Sequence, residues 1–267
     1  MGKRTYPISA SQVKKYKTCP KQYWYRYVSD IYSTKMGAGY RGMGSAVHEA
    51  IENVLLDDPE ERDELVLLKK LRAEEERLGY DYPTRFDDDV QKCLVNASKY
   101  ISSLGDQKII GIEDDHTFNV TRPDIVHPFR GIMDVCTEDS IIDWKTGTPR
   151  PEDEAIQAAI YLAAYAGKYN RVPKEIRFVY LKKETVNIHK STDDNGMKFW
   201  DENQMPDSWS QVMFYAIQIL DSWENDGPWI AIPDRDTCHW CDYQFFCKEG
   251  GVGVEHIDWD QFSERVK

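Results

Sequence analysis

Asp134 and Asp143 stand in one short stretch, Gly131-Ile132-Met133-Asp134-Val135 through Ile141-Ile142-Asp143-Trp144-Lys145-Thr146-Gly147. Apolar residues flank each aspartate, which is the pattern of two β-strands. Thr137-Glu138-Asp139-Ser140 between them is turn chemistry, so the pair reads as a tight hairpin. Side chains alternate along a strand, so Asp143 and Lys145 share a face, and the folded hairpin can bring Asp134 opposite them. Two carboxylates at close quarters repel unless a cation joins them, and hard oxygen donors favour Mg²⁺ or Mn²⁺. A lysine beside such a metal can orient a water and stabilise charge developing on a phosphate. That is the chemistry of phosphodiester hydrolysis. An ordinary hairpin with two exposed aspartates, one of them paired to a lysine, carries the same letters, so the rest of the chain has to decide.

The elements around the hairpin are well placed to serve it. Pro151-Glu152-Asp153 opens a helix to Tyr169, with proline in its first turn and acids at the positive end of its dipole. Ala155, Ala158, Ala159, Ala163, Ala164 and Ala166 give that helix a small-residue face for close packing. Gln157 and Tyr161, one turn apart, can face the same spot as Asp143. Upstream, Gly42 opens a helix with Met43, Val47, Ile51 and Leu55 on one stripe, and His48 sits one position off that stripe. Asp57 to Gly79 and Phe86 to Leu104 read as two further helices, with Cys93 on the apolar side of the second. From Lys108 the period becomes strand-like: Ile109–Ile112 and Thr117–Thr121 form one bent strand or two, and Pro123 and Pro128 mark a loop before the hairpin. Cys136 alternates with Asp134 as core or wall. Lys174–Leu181 and Thr185–Lys190 suggest another hairpin, Asp193-Asp194-Asn195-Gly196 a loop, and Ser208–Trp223 a long helix. Near the start, Ser9 or Ser11 can cap a helix over Val13–Lys17, and Lys21–Val28 reads as a second short one. There, Tyr23, Trp24, Tyr25 and Tyr27 lie among Lys21 and Arg26, fitting either core packing or base stacking.

The 267 residues can bury a substantial core, and 41% apolar with 12% aromatic content excludes a disordered chain. The longest apolar run, Ala158–Ala166, is too short to cross a bilayer, and Met1–Pro7 lacks the apolar core of a signal peptide. A cytoplasmic protein with no membrane partner is therefore expected. The net charge of −12 argues against a nucleic-acid partner until its distribution is considered. Met1–Ser29 contains no acid, only Lys3, Arg4, Lys14, Lys15, Lys17, Lys21 and Arg26, while Asp57–Asp89 is strongly acidic. A basic face on an acidic body suits DNA, and a high-salt host would also explain the acidity.

Six cysteines in such a chain point to metal ligation or core packing rather than disulfides. Cys238, Cys241 and Cys247 form a C-x2-C-x5-C triplet, and Cys19 lies near the opposite end of the chain. Four thiolates bind either zinc or an iron–sulfur cluster. A group joining Cys19 to the triplet would close a loop worth about 5 kcal/mol, by analogy with a disulfide.

These pieces, in this order, resemble one family, the RecB-like nucleases with an iron–sulfur cluster, within the PD-(D/E)xK superfamily. Ser9-x-Ser11 through Tyr16, Cys19-Pro20 and Tyr23 resembles its N-terminal cysteine motif, and Gly44 through His48 its glycine–histidine helix. Gly131–Asp134 and Ile142–Gly147 resemble its catalytic core, Gln157-x3-Tyr161 the following helix, and Cys238, Cys241 and Cys247 its C-terminal cluster. The resemblance implies an α/β fold: a central mixed sheet flanked by helices, an N-terminal helical region, and a [4Fe–4S] cluster on Cys19, Cys238, Cys241 and Cys247 joining both ends. It implies a single domain over residues 1–267, helical to about 105, nuclease core to about 190, and a C-terminal helix with cysteines over about 206–250. His48, Asp134, Asp143 and the Trp144 carbonyl would hold Mg²⁺ or Mn²⁺, Lys145 would position the attacking water, and Gln157 and Tyr161 would support substrate and site geometry. Size and cysteine layout resemble the small CRISPR-associated RecB-like exonucleases, with single-stranded DNA or DNA ends as substrate and CRISPR adaptation or recombination and replication proteins as partners.

The competing reading is a non-catalytic nucleic-acid- or partner-binding module that kept the scaffold, with iron–sulfur or zinc at its cysteines. DNA binding is expected to depend on the basic N-terminal segment despite the overall charge of −12. Reversing Lys14, Lys15 and Lys17 to glutamate should weaken DNA binding uniformly across sequences and flatten its salt dependence, because fewer counterions are then released. An unchanged slope of log affinity against log salt would show that the DNA path lies elsewhere.

Overall fold

The computed structural model describes residues 7–29, 38–122, 125–191, 205–234, 237–238, 241–244, 247 and 249. The expected loop at Asp193–Gly196 lies outside them. A two-residue strand β1 (Ile8–Ser9) leads into α1 (Ala10–Thr18) and α2 (Pro20–Tyr23), whose end widens into a π-helical turn over Trp24–Val28. Three helices follow, α3 (Ala38–Asp57), α4 (Glu64–Leu78) and α5 (Asp87–Ser103). Then come β2 (Ile109–Arg122), β3 (Ile125–Thr137), β4 (Ser140–Lys145), α6 (Pro151–Tyr169), β5 (Glu175–Tyr180), β6 (Thr185–Lys190) and α7 (Met205–Asn225).

Two expectations need correction. The helix expected over Asp57–Gly79 begins only at Glu64. Pro59 disfavours helical backbone at Asp58, and Asp63 restarts the helix by accepting the Val66 N–H at 2.9 Å. Gly79, at φ 60°, closes it in the left-handed region that favours glycine. Pro128, expected in a loop, lies inside β3 opposite Asn119. It is tolerated because β2 alone pairs with β3 there; β1 joins only from Phe129. The single bent strand is β2, with a register shift between Ile109 and Gly111.

The sheet runs β1-β3-β4-β5-β6, with β2 along the other edge of β3. It is mixed: β1–β3 and β4–β5 are parallel, the remaining pairs antiparallel. One face carries α3, α4 and α5, whose Val47, Ile51, Leu71, Val90 and Leu94 form a core with Val135, Ile142 and Trp144. The other carries α6, packed through Ala158, Leu162 and Tyr165 against Met133, Cys136 and Phe178. Cys93 and Cys136 are thus core residues. Among the described residues no helix is long and apolar enough to cross a membrane.

The first turn of α6 is tied to the β5–β6 hairpin. Buried Glu154 accepts from the Tyr180 hydroxyl and, at 3.0 Å, from the Asn187 amide, and lies 3.1 Å from the His189 ring. These partners hold the Glu154 carboxyl below its ordinary range even though burial works the other way.

By compactness the chain divides into two units. The sheet and α3–α6 belong to the first, which comprises residues through Val13 and Ala38–Ile217. The second unites the described residues of 14–37 and 218–267. Its interior is aromatic: Tyr23 stacks on Trp229 at 5.8 Å, Tyr16 meets Tyr23 edge-on at 5.5 Å, and the Trp223 indole N–H donates to the Tyr23 hydroxyl at 3.1 Å. Tyr25 stacks on Tyr243 at 5.0 Å. Tyr23 and Tyr25 are therefore core residues rather than stacking platforms for bases.

Gly131 sets the distance of α6 from the sheet. A Cβ at Gly131 would fall 2.7 Å from the Ala164 Cβ, closer than carbon atoms approach. Gly131→Ala should cost about 1–3 kcal/mol of unfolding free energy in urea titrations, as overpacking does. Ala164→Gly in the same chain should recover part of that loss, beyond the sum of the two single effects.

Candidate metal centre and cysteine pocket

The site forms where β3 and β4 stop pairing. Their ladder consists of Val135 opposite Ile142 and Cys136 opposite Ile141. β1 takes the same edge of β3 only at Phe129 and Arg130, which leaves Gly131–Asp134 between the two partners. In that gap the Asp134 carboxylate replaces a strand carbonyl and accepts the Trp144 N–H at 2.7 Å. Alternation along β4 sends Ile142 and Trp144 into the α3–α5 core and turns Asp143 and Lys145 towards α6.

On α6, Gln157 and Tyr161 converge on Asp143. The Gln157 amide and the Tyr161 hydroxyl each donate to Asp143 Oδ1 at 2.8 Å. Lys145 Nζ donates to Gln157 Oε1 at 3.1 Å and pairs with Asp143 Oδ2 at 2.5 Å. Oδ2 is buried and has that ion pair without any hydrogen bond.

From the opposite face, α3 delivers His48, whose Nδ1 lies 3.6 Å from Asp134 Oδ2 and whose ring is bonded to the Trp144 backbone. Gly44, one turn earlier, lets α3 approach the loop after β4: a Cβ there would stand 3.3 Å from Thr146 Oγ1. Glu113 of β2 completes the group, and the donor atoms of His48, Glu113 and Asp134 all lie within 4.8 Å of one another.

The charges in this group are in conflict. Burial raises the Asp134 carboxyl well above its usual range, and the Asp143 charge adds to it. Glu113 is pushed up to about 7 by burial and then by Asp134. Burial lowers His48, against the pull of Asp143. Burial and mutual repulsion disfavour charge on Asp134 and Glu113 together, and burial also disfavours charge on the imidazole beside them. A divalent cation would resolve the conflict, and two carboxylates with an imidazole, beside Asp143 with its Oδ2 paired only to Lys145, make a donor set that fits one.

The structure thus brings together His48, Asp134, Asp143, Trp144, Lys145, Gln157 and Tyr161. With Glu113 added, His48, Glu113 and Asp134 form a triad, and Asp143 is held by Lys145, Gln157 and Tyr161. Sequence reasoning missed Glu113. Its signal was three consecutive acids, Glu113-Asp114-Asp115, inside a strand, where alternation leaves room for one or two.

In the second unit, Cys19, Cys238, Cys241 and Cys247 line one pocket together with Lys21, Tyr25 and Ile232. Backbone N–H groups of Ile232 and Tyr243 point at the sulfurs of Cys19 and Cys241, each at 3.4 Å. Burial pushes the Cys241 thiol up to about 11, and Cys19 and Cys247 contribute. Four sulfurs with N–H donors around them fit a thiolate-bound metal group, which would supply the charge that keeps them deprotonated.

A solved structure described as "Crystal structure of SSO0001" aligns over 93% of this chain and 89% of its own, at 12% identity and a TM-score of 0.43. No curated protein matches the chain. The family model described as "PD-(D/E)XK nuclease superfamily" matches residues 7–248, a span that holds both aspartates, the lysine, Glu113 and His48. On that match the chain belongs to the PD-(D/E)XK nuclease superfamily.

Proposed function

We propose that the chain is a metal-dependent deoxyribonuclease of the RecB-like iron–sulfur branch, acting as an exonuclease on single-stranded DNA or DNA ends, with residues 1–267 serving as one nuclease domain. The observation that carries the hydrolytic reading is the placement of Lys145 and Asp143 beside Asp134, His48 and Glu113 in one gap of the sheet. A binding module has no use for an ion-paired lysine beside mutually repelling acids, so the arrangement favours the enzyme. The exonuclease mode, the DNA substrate, a CRISPR-adaptation or recombination and replication context, and Mg²⁺ or Mn²⁺ as the metal follow from the motif order, which resembles the small CRISPR-associated exonucleases.

His48, Glu113 and Asp134 would hold the cation, with Asp143 and the Trp144 carbonyl at its border. When bound, it would polarise the scissile phosphate and acidify a water. Gln157 and Tyr161 keep Asp143 in one orientation by two hydrogen bonds to a single oxygen. Gln157 and Asp143 together hold the Lys145 ammonium in place, so its charge is available to the phosphate oxygens without reorganisation.

We also assign the cysteine pocket to a [4Fe–4S] cluster. What supports this is that Cys19, Cys238, Cys241 and Cys247 line one pocket, together with the motif order, which resembles the iron–sulfur branch rather than the two close pairs usual for structural zinc. Anaerobically purified protein should be brown and absorb near about 400 nm, as thiolate-bound clusters do. Cys19→Ala, or the same change at Cys238, Cys241 or Cys247, should abolish that band and lower solubility, and Cys93→Ala should leave it. Stoichiometric zinc without iron in anaerobic protein would refute the assignment.

Lys145 gives the sharpest test of hydrolysis. Asp143→Ala should lose Mn²⁺ affinity and DNA cleavage together. Lys145→Ala keeps every carboxylate, so Mn²⁺ should still bind in titration calorimetry and DNA affinity should fall only modestly. Cleavage should drop by about 10²–10³-fold, the range for removing one donor to a developing charge. Binding retained with chemistry lost assigns the lysine to the transition state. Cleavage by Lys145→Ala within a few-fold of the unaltered chain would reduce the lysine to an ion-pair partner and overturn the catalytic reading.

A further inference from the structure

Strict alternation along β2 would point Ile112 and Asp114 to the same face of the sheet. They point to opposite faces. Ile112 packs into the core beneath α3, α4 and α5 with its register partner Val135. Asp114 turns to α6, the side on which its own partner Met133 is buried. The reversal happens across Glu113, which has a φ of 43°. A glutamate enters that left-handed region only where its surroundings hold it there.

What holds it is on the α6 side. The Asp114 carboxylate is buried and accepts from the Lys168 ammonium and the Tyr169 hydroxyl in the last turn of α6. The same hydroxyl lies 3.3 Å from the Ile110 carbonyl, so one tyrosine grips β2 on both sides of Glu113. Gly111 leaves the room for that grip. A Cβ there would stand 2.6 Å from the Tyr169 oxygen and 2.7 Å from Asp114 Oδ2. With Ile110 and Asp114 fastened to α6, Glu113 is directed the other way, to His48 and Asp134.

We propose that Asp114, held by Lys168 and Tyr169, is a positioning residue that keeps the Glu113 carboxylate within the metal group. The inference rests on reading His48, Glu113 and Asp134 as that group. It makes a prediction of unexpected sign. Lys168 is a cation, so removing it should by electrostatics alone favour binding of another cation. If Lys168 acts through Asp114 and Glu113, its removal weakens cation binding instead.

The test is Mn²⁺ titration calorimetry on the full chain. Glu113→Gln should weaken binding about tenfold or more, and Lys168→Met by about tenfold, the effect of losing a group that orients a ligand. Lys168→Arg should restore most of the affinity. Tyr169→Phe and Gly111→Ala disturb the same grip from other sides and should shift affinity in the same direction, so the test survives the misfolding of any one variant. In a Glu113→Gln background, Lys168→Met should cost nothing further. A merely structural role would lower affinity by the same factor in both backgrounds, and that result overturns the proposal. So does unweakened binding by Lys168→Met where Glu113→Gln is weakened, which leaves the metal group standing. If Glu113→Gln binds Mn²⁺ as the unaltered chain does, the reading of the metal group fails, and the positioning role with it.

Discussion

Carboxylates that resist being charged together lie at the centre of this structure. Asp134, Asp143 and Glu113 occupy a gap in the sheet where burial and mutual repulsion raise two of the three carboxyls. The fold could have relieved this by pairing β3 and β4 to their ends or by opening the gap to water. It does neither. The ladder ends at Val135 and Ile142, and helices cover both faces. The cost of keeping such a gap is borne by the two apolar cores around it, which are much larger. The site is thus a polar cleft with crowded acids held by apolar surroundings, the balance expected of the cation and phosphodiester site proposed above.

Each layer makes a separate contribution. The α3 side supplies the imidazole, and its approach depends on Gly44. The α6 side supplies no donor to the triad; it orients Asp143 and Lys145 through Gln157 and Tyr161. Its register is set at the first turn by Glu154, in the middle by Gly131 against Ala164, and at the last turn by Lys168 and Tyr169. A helix fixed at three heights has little freedom to slide, and the Gln157–Asp143 contact depends on that.

Much of this was legible in the letters. The hairpin with its aspartates, α6 with proline in its first turn, and the Gln157–Tyr161 spacing are local patterns, written in periods of 2 and 3.6 within one element. The features that escaped were those in which a single residue overrides its period. Glu113 was hidden because its left-handed backbone breaks the alternation that would have identified its face. Pro128 was read as a loop breaker, although a strand edge with no partner at that position has no N–H to miss. The helix at Asp57–Gly79 was overextended because the charges around Asp58–Asp63 fit a helix surface, whereas Pro59 and the Asp63 cap decide the outcome. The cysteine spacing suggested a shared group, and the pocket in the second unit brings all four together.

Asp134 carries two duties that are usually divided between residues. Its carboxylate belongs to the proposed cation-binding group and also stands in for the missing strand acceptor of the Trp144 N–H. The first duty needs a negative charge, and the second needs only an oxygen. A lineage that abandoned hydrolysis would be released from the first and still bound by the second. Its descendants should then drift to asparagine at this position in preference to alanine, since an amide oxygen preserves the backbone tie. Inheritance at Asp134 would in that case record the history of the charge separately from the history of the fold.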